Sequence, residues 1–265
     1  DAAEAEGEQW LAEHGVSTLA AARALPLDRL LVGNDADEAG TTPHRPPLFR
    51  PVLDGWVFPR SYAETLQLGA QADIPVMTGT NADEDGAEPH PFVTPESFRA
   101  HARAEYGDLA DEFLSLYPAD DAPKSANAAA RELSRTSTYL WTRLWAEHAS
   151  SLVYSYYWTH AAPGPDAELR GAFHGCEIWY FLDSLAHTDR PWTADDWRIA
   201  ETMSGYVVRF VTTGDPNGSG APEWAPAGAE PRTMELGDRF GALEVAPPER
   251  FDFNRRFLVS RPLWR

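Results

Sequence analysis

Asp73-Ile-Pro-Val-Met-Thr-Gly79 and Ser151-Leu-Val-Tyr-Ser-Tyr-Tyr-Trp-Thr159 decide the fold class. The first is short, apolar and ended by glycine. The second carries no charge and is rich in β-branched and aromatic residues. A strand with one face in water alternates polar and apolar positions; these do not, so both read as strands buried on both faces or nearly so. Long helical segments lie between and after them. Thr94-Pro-Glu96 supplies an N-cap with proline in the first turn, opening a helix over 94–105. A second helix is read from Leu109 to Tyr117. A long one from Asn127 to His148 has Leu133, Leu140, Leu144 and Trp145 on a shared face. Asp195 to Thr213 forms another, with Ile199, Met203, Tyr206, Val207 and Phe210 inward, stopped by Gly214-Asp-Pro-Asn-Gly218. A short strand, Thr233 to Leu236, precedes a loop and a terminal stretch ending Pro262-Leu-Trp-Arg265.

Apolar strands alternating with helices indicate an α/β architecture with a largely parallel sheet. Three strands are few for such a sheet, and a truncated one leaves edge groups unpaired, so further polypeptide is expected to complete it. Towards the other end, Ala2 to Leu25 reads as an amphipathic helix or two. Trp10, Leu11, Val16, Leu19 and Ala22 stand near helical spacing, and Pro26 ends the run. Gly33 to Pro47 reads as a surface loop, and Asp54-Gly55 as a turn between short extended pieces of Phe49 to Pro59.

The 265 residues are 43% hydrophobic and 12% aromatic, a globular composition. No stretch approaches the roughly 20 apolar residues that span a bilayer. A net charge of −19, from 41 acidic and 22 basic residues, argues against nucleic acid and anionic membrane as partners. Asp1-Ala-Ala-Glu-Ala-Glu6 lacks the basic and apolar regions of a signal peptide, so a soluble, cytoplasmic protein is expected. The single cysteine, Cys176, excludes an intrachain disulfide and a cysteine cluster for zinc. It lies two residues from His174, but neighbours at i and i+2 seldom face each other, and a small core residue is the reading.

Two segments carry chemistry. Gly79-Thr-Asn-Ala-Asp-Glu84-Asp-Gly86 follows the first strand directly, where open α/β sheets place their active sites. Gly171-Ala-Phe-His174-Gly-Cys-Glu177 puts a histidine among small residues on a loop. Acid before histidine is the order of an α/β-hydrolase, in which the nucleophile comes first of all. Of the other histidines, His148 and His160 read as helix-end and strand-end residues, and no pair is spaced as HExxH. Asn81, Asp83, Asp85 and Gly86 imitate half of a calcium loop, but the last ligand position falls on Phe92, which rules calcium out. Asn217-Gly-Ser219 fits a glycosylation sequon and is sufficiently explained as a turn.

The chain resembles the C-terminal half of the type-B carboxylesterases, the family of para-nitrobenzyl esterases and cholinesterases. Five collinear segments carry the likeness: Phe49-Arg-Pro-Val-Leu-Asp-Gly55, Ile74-Pro-Val-Met-Thr-Gly-Thr-Asn-Ala-Asp-Glu84, Gly171-Ala-Phe-His-Gly-Cys-Glu177, Gly205-Tyr-Val-Val-Arg-Phe210 leading into Thr213-Gly-Asp-Pro-Asn217, and Pro222-Glu-Trp224. The resemblance implies an α/β-hydrolase fold and hydrolysis of a small-molecule carboxylic ester, with no metal or organic cofactor. Glu84 matches the acid of its catalytic triad and His174 the base. The family usually has glycine directly after this glutamate; here Asp85 intervenes, so Asp83 and Asp85 stand beside Glu84 as candidates for the acid. Glu177 reads as structural. Trp179 and Tyr180 are candidates for a substrate pocket, with Trp141, Trp145 and Trp158 as further aromatics.

A Gly-x-Ser-x-Gly elbow is absent; Met203-Ser-Gly205 lies in a helix and lacks the first glycine. No glycine-rich oxyanion loop is present either. In the family both lie upstream of the matched region. Residues 1–265 are therefore expected to be the C-terminal part of one α/β-hydrolase domain, with a separate N-terminal polypeptide supplying serine and oxyanion hole. The alternatives are a non-catalytic, cholinesterase-like adhesion module and an inactive fragment.

Overall fold

The computed structural model describes residues 2–30, 51–84, 86 and 93–261. The loop read at Gly33–Pro47, Asp85 and the terminal Pro262–Arg265 lie outside them. Contacts divide the chain into Asp1–Ser61 and Tyr62–Arg265. In the first unit the expected N-terminal helices are α1 (Ala2–Glu13) and α2 (Leu19–Arg23), followed by a short α3 (Leu27–Leu30). Thr18 caps α2 by accepting from the Ala21 N–H at 3.1 Å. Of the five residues read as the apolar face, only Ala22 is buried, and Leu19 is exposed. The turn at Asp54-Gly55 forms: one Asp54 oxygen accepts from the N–H groups of Trp56, Val57 and Phe58.

The second unit holds a four-stranded sheet. Its strands are β1 (Val76–Asn81), β2 (Val153–Trp158), β3 (Arg232–Leu236) and β4 (Gly241–Glu244), in that spatial order. β1 runs parallel to β2 and β2 to β3, while β4 returns antiparallel to β3. The register pairs Val76 with Val153 and Asn81 with Trp158, so the C-terminal ends of β1 and β2 lie level. The first strand starts three residues later than the sequence pattern suggested. Asp73 instead accepts hydrogen bonds from the Ser150 hydroxyl at 2.5 Å and from the Ser151 and Ser150 N–H groups, which hold its carboxyl well below the usual range and tie together the approaches to β1 and β2. Pro75 has no N–H to give a ladder.

The helices are α4 (Tyr62–Gln67), α5 (Pro95–Tyr106), α6 (Ala110–Leu116), α7 (Ala122–His148), α8 (Ala167–Arg170), α9 (Ile178–Phe181), α10 (Ala194–Thr213) and α11 (Pro248–Ser260). Alternation along β2 assigns its two faces. Tyr154, Tyr156 and Trp158 pack with Ile199, Met203 and Tyr206 of α10, whereas Tyr157 lies under the Arg135 guanidinium of α7. The result is a helix–sheet–helix arrangement. A second core joins Phe98 and Tyr106 of α5, Phe113 of α6 and Phe253 and Phe257 of α11. Each such fully buried aromatic contributes about 1.5–3 kcal/mol.

Four expectations change. The stretch after β3 holds β4 and α11; the helix buries only Phe253, Asn254 and Phe257 in an arginine-rich run, so its apolar stripe is short. α7 begins at Ala122, with Pro123 in its first turn, five residues before the expected start. Its buried stripe is also different. It comprises Ser125, Ala129, Glu132, Thr136, Tyr139 and Thr142, while Leu133, Leu140, Leu144 and Trp145 are only half-buried. Polar groups on that stripe are satisfied internally: Tyr117 donates to Glu132 at 2.8 Å, and Thr136 and Thr142 donate to carbonyls of their own helix. Finally, β1 is half-buried along most of its length, and among the described residues no strand pairs with its outer edge.

Candidate active site

Two loops leave the level ends of β1 and β2 and are laced together. Beyond β1, the Ala82 N–H still donates to the Trp158 carbonyl at 2.8 Å. Asp83 then forms a parallel bridge with Phe173: its N–H donates to the Ala172 carbonyl at 3.1 Å, and its carboxylate accepts from the Ala172 N–H at 2.9 Å. Arg131 of α7 binds the same carboxylate through Nε at 3.1 Å and through its terminal nitrogen, and also reaches the Ala82 carbonyl. Asp83 is buried, fully engaged and pinned to backbone. It is a fastener, and the sequence alternative that made it the acid is corrected on that ground.

Glu84 is the carboxylate that meets the histidine. Its Oε2 lies 2.7 Å from His174 Nδ1, and its Oε1 accepts from the Asn81 N–H at 2.7 Å. A carboxylate only accepts, so Nδ1 is the donor and the ring orientation is set. The imidazole is 85% exposed and the Glu84 side chain 35%. A contact so open to water contributes only about 0–1 kcal/mol to stability. The loops are therefore held by the buried Asp83 fastening, and the Glu84–His174 bond is left as a surface feature with an orienting effect.

Two glycines make the geometry available. Gly175, directly after His174, has φ +84°, a conformation that turns the chain away and leaves the imidazole on the surface. At Gly79 a Cβ would stand 2.4 Å from both the ring and the carbonyl of Tyr156, so only glycine lets β1 and β2 approach there. The aromatic residue ahead of the histidine is stacked in turn. The Arg170 guanidinium lies 3.5 Å from the Phe173 ring centre, and Arg190 is anchored to Asp166 through both nitrogens at 3.1 Å.

The remaining candidates are placed as follows. Trp179 is half-buried, edge-on to Phe173 at 6.0 Å and to Trp192 at 5.8 Å. Tyr180 is fully buried, with its hydroxyl donated to Asp196 at 2.7 Å, and burial pushes its ionisation far up. A side chain with no exposed surface cannot line a pocket, so that expectation is corrected. Trp158 is likewise core, its indole N–H donated to the His160 carbonyl. Cys176 is a buried core thiol, pushed up to about 12 by burial first and the Glu177 charge second. Ser204 lies within α10 as read. The Asn217 amide is spent on Asp215 and Trp224, which supports the turn reading of that segment.

Sequence reasoning missed the role of Asn81. Its side chain donates to the Phe173 carbonyl at 2.8 Å and to Glu177, joining the acid loop to the residue before His174. A lone polar residue at a strand end carries no periodicity or motif that would have shown this.

A family model described as the carboxylesterase family matches residues 13–244. The chain belongs to the carboxylesterase family. Its architecture is accordingly that of an α/β-hydrolase. Among curated proteins it is 28% identical over 209 residues to the fumonisin B1 esterase of Sphingopyxis macrogoltabida, covering 73% of this chain and 38% of that protein. It is 27% identical over 214 residues to carboxylesterase 4A of Bos taurus, covering 70% and 38% respectively. Against the cAMP-regulated D2 protein of Dictyostelium discoideum the identity is 25% over 182 residues, 64% of this chain and 34% of that one. This carboxylesterase-family chain therefore spans well under half the length of the relatives it matches. None of its described helices is long and apolar enough to cross a membrane.

Proposed function

We propose that this chain supplies the acid and the base of a serine carboxylesterase of the type-B kind, and that a serine-bearing segment supplies nucleophile and oxyanion hole. The observation that carries the reading is the 2.7 Å contact between Glu84 and His174, ninety residues apart in sequence, on an exposed surface at the ends of parallel strands. His174 Nε2 takes the proton as the serine oxygen attacks the ester carbonyl, and returns it to the departing alkoxide. Water then enters by the same route and releases the acid. Glu84 keeps Nδ1 protonated throughout and stabilises the imidazolium formed between the two transfers. The outer edge of β1, with which no strand pairs among the described residues, and the half-buried leucine and tryptophan face of α7 support a further segment packed beside them.

A fluorophosphonate reacts covalently with an activated serine and tests this directly. The intact protein, serine-bearing segment included, is expected to take up one label outside these 265 residues, and His174→Ala to abolish the uptake. A protein that binds esters but never labels would instead be a non-catalytic binding module.

A further inference from the structure

The structure assigns to Asn81 a positioning role: this one buried residue holds both members of the Glu84–His174 pair in register. The inference rests on the esterase reading above. Asn81 ends β1 and is 3% exposed. Its backbone N–H donates to Glu84 Oε1 at 2.7 Å, which leaves Oε2 directed at the imidazole. Its side-chain amide has two hydrogens and two acceptors, the Phe173 carbonyl at 2.8 Å and the Glu177 carboxylate. The first is the carbonyl of the peptide bond leading into His174. The second belongs to the residue that opens α9, three positions after the histidine.

One side chain thus clamps the histidine loop on both sides of the ring, while its own main chain fixes the acid. The fastening at Asp83 cannot substitute for this, because it reaches only Ala172 and the bridge at Phe173. It brings the two loops together; Asn81 sets where the imidazole stands between them. An apolar residue at position 81 would take the side-chain donor from the Glu177 carboxylate and leave the Phe173 carbonyl only the Cys176 N–H at 3.1 Å. The loss would be felt as a displaced loop.

A positioning residue acts through the group it positions, so the test is a cycle between Asn81 and His174 in the intact protein. Asn81→Ala is expected to lower kcat about tenfold to a hundredfold, by analogy with the residues that orient metal ligands, with KM within about threefold. In the His174→Ala background it is expected to cost nothing further. The isosteric swap Asn81→Asp with Glu177→Gln reverses the donor and acceptor between the two residues. It is expected to regain part of the kcat that Asn81→Asp alone loses. An equal loss in both backgrounds would mark Asn81 as merely structural and overturn the assignment, and so would an unchanged kcat in the single variant. Should Asn81→Ala fail to fold, a folded swap with no recovery over Asn81→Asp overturns it. High turnover by His174→Ala would remove the triad itself, a distinct result that leaves nothing to position.

Discussion

His174 and His160 are both held by carboxylates, at 2.7 Å from Glu84 in one case and 2.6 Å from Asp238 in the other. His160 adds a second contact, Nε2 to Asp196 at 2.9 Å, and Asp196 itself receives the Tyr180 hydroxyl. The rings differ in setting: 85% of one is exposed and 16% of the other. At His160 the carboxylates join the end of β2 to the buried start of α10, beside the aromatic core, and to the exposed turn between β3 and β4. At His174 the carboxylate joins only two loop tips, whose attachment is secured elsewhere. An imidazole paired with an acid is therefore no signature of a site by itself. What separates the two is whether the pair is needed to hold the fold.

The largest expected effect follows from that separation. In the intact protein, His174→Ala should lower kcat for an aryl ester by several powers of ten while leaving the unfolding midpoint nearly unchanged. His160→Ala should do the reverse. It removes a side chain with one buried partner, Asp196, and one exposed partner, Asp238, which costs about 1–3 kcal/mol in urea unfolding, and should leave kcat within about threefold. If His160→Ala proved folded and inactive while His174→Ala turned over normally, the two regions would have to exchange roles.

A smaller effect tests what holds His160. Burial alone would raise the Asp196 carboxyl, but hydrogen bonds from Thr193, Tyr180 and His160 outweigh it and hold the group below its ordinary value. A depressed acid contributes stability that is complete above its unfolded value, about pH 4, and is lost as pH falls through the lower folded value. Asp196→Asn should therefore cost about 2 kcal/mol at pH 7 and flatten the acid limb of the stability curve. Equal pH dependence in wild type and variant would show that Asp196 is not what makes this region acid-sensitive.

How much of this was legible depends on how far each residue's role reaches along the chain. Thr94 capping α5, the buried run of β2 and the stop of α10 at Gly214 are local, and the chain states them locally. The meeting of Glu84 and His174 is long-range and was readable only because several motifs fall in one order; neither residue stands out in an acidic chain with eight histidines. Asp83 and Asn81 were opaque. Their partners are the Ala172 N–H, the Phe173 carbonyl and Arg131, and a backbone partner leaves no trace in side-chain identity. The α7 stripe misled because its leucines, and not its buried threonines and glutamate, follow the usual apolar pattern. β1 and β2 were visible because their runs carry no charge; β4 alternates half-buried and exposed residues at the sheet edge and so lacks that mark.

The smallest expected effect separates a helix cap from the network around His160. Thr94 and Thr193 are both exposed and each forms a reciprocal capping box, with Ser97 and Asp196 respectively. Replacing either with alanine removes the cap and should cost about 1 kcal/mol. Thr193 also donates its hydroxyl to Asp196 Oδ2 at 2.5 Å, whereas the matching Thr94–Ser97 contact is 3.5 Å long and, among the described residues, Ser97 steadies no further buried group. Thr193→Ala should therefore cost more than Thr94→Ala by about 0.5–1 kcal/mol, the net worth of one such hydrogen bond. The excess should vanish in an Asp196→Asn background, because the carboxylate it served is gone. Neither variant touches the loops that carry Glu84 and His174, so kcat should stay put in both. Equal losses from the two threonines would mean that Asp196 keeps its seat without Thr193, and that Tyr180 and His160 suffice to hold it there.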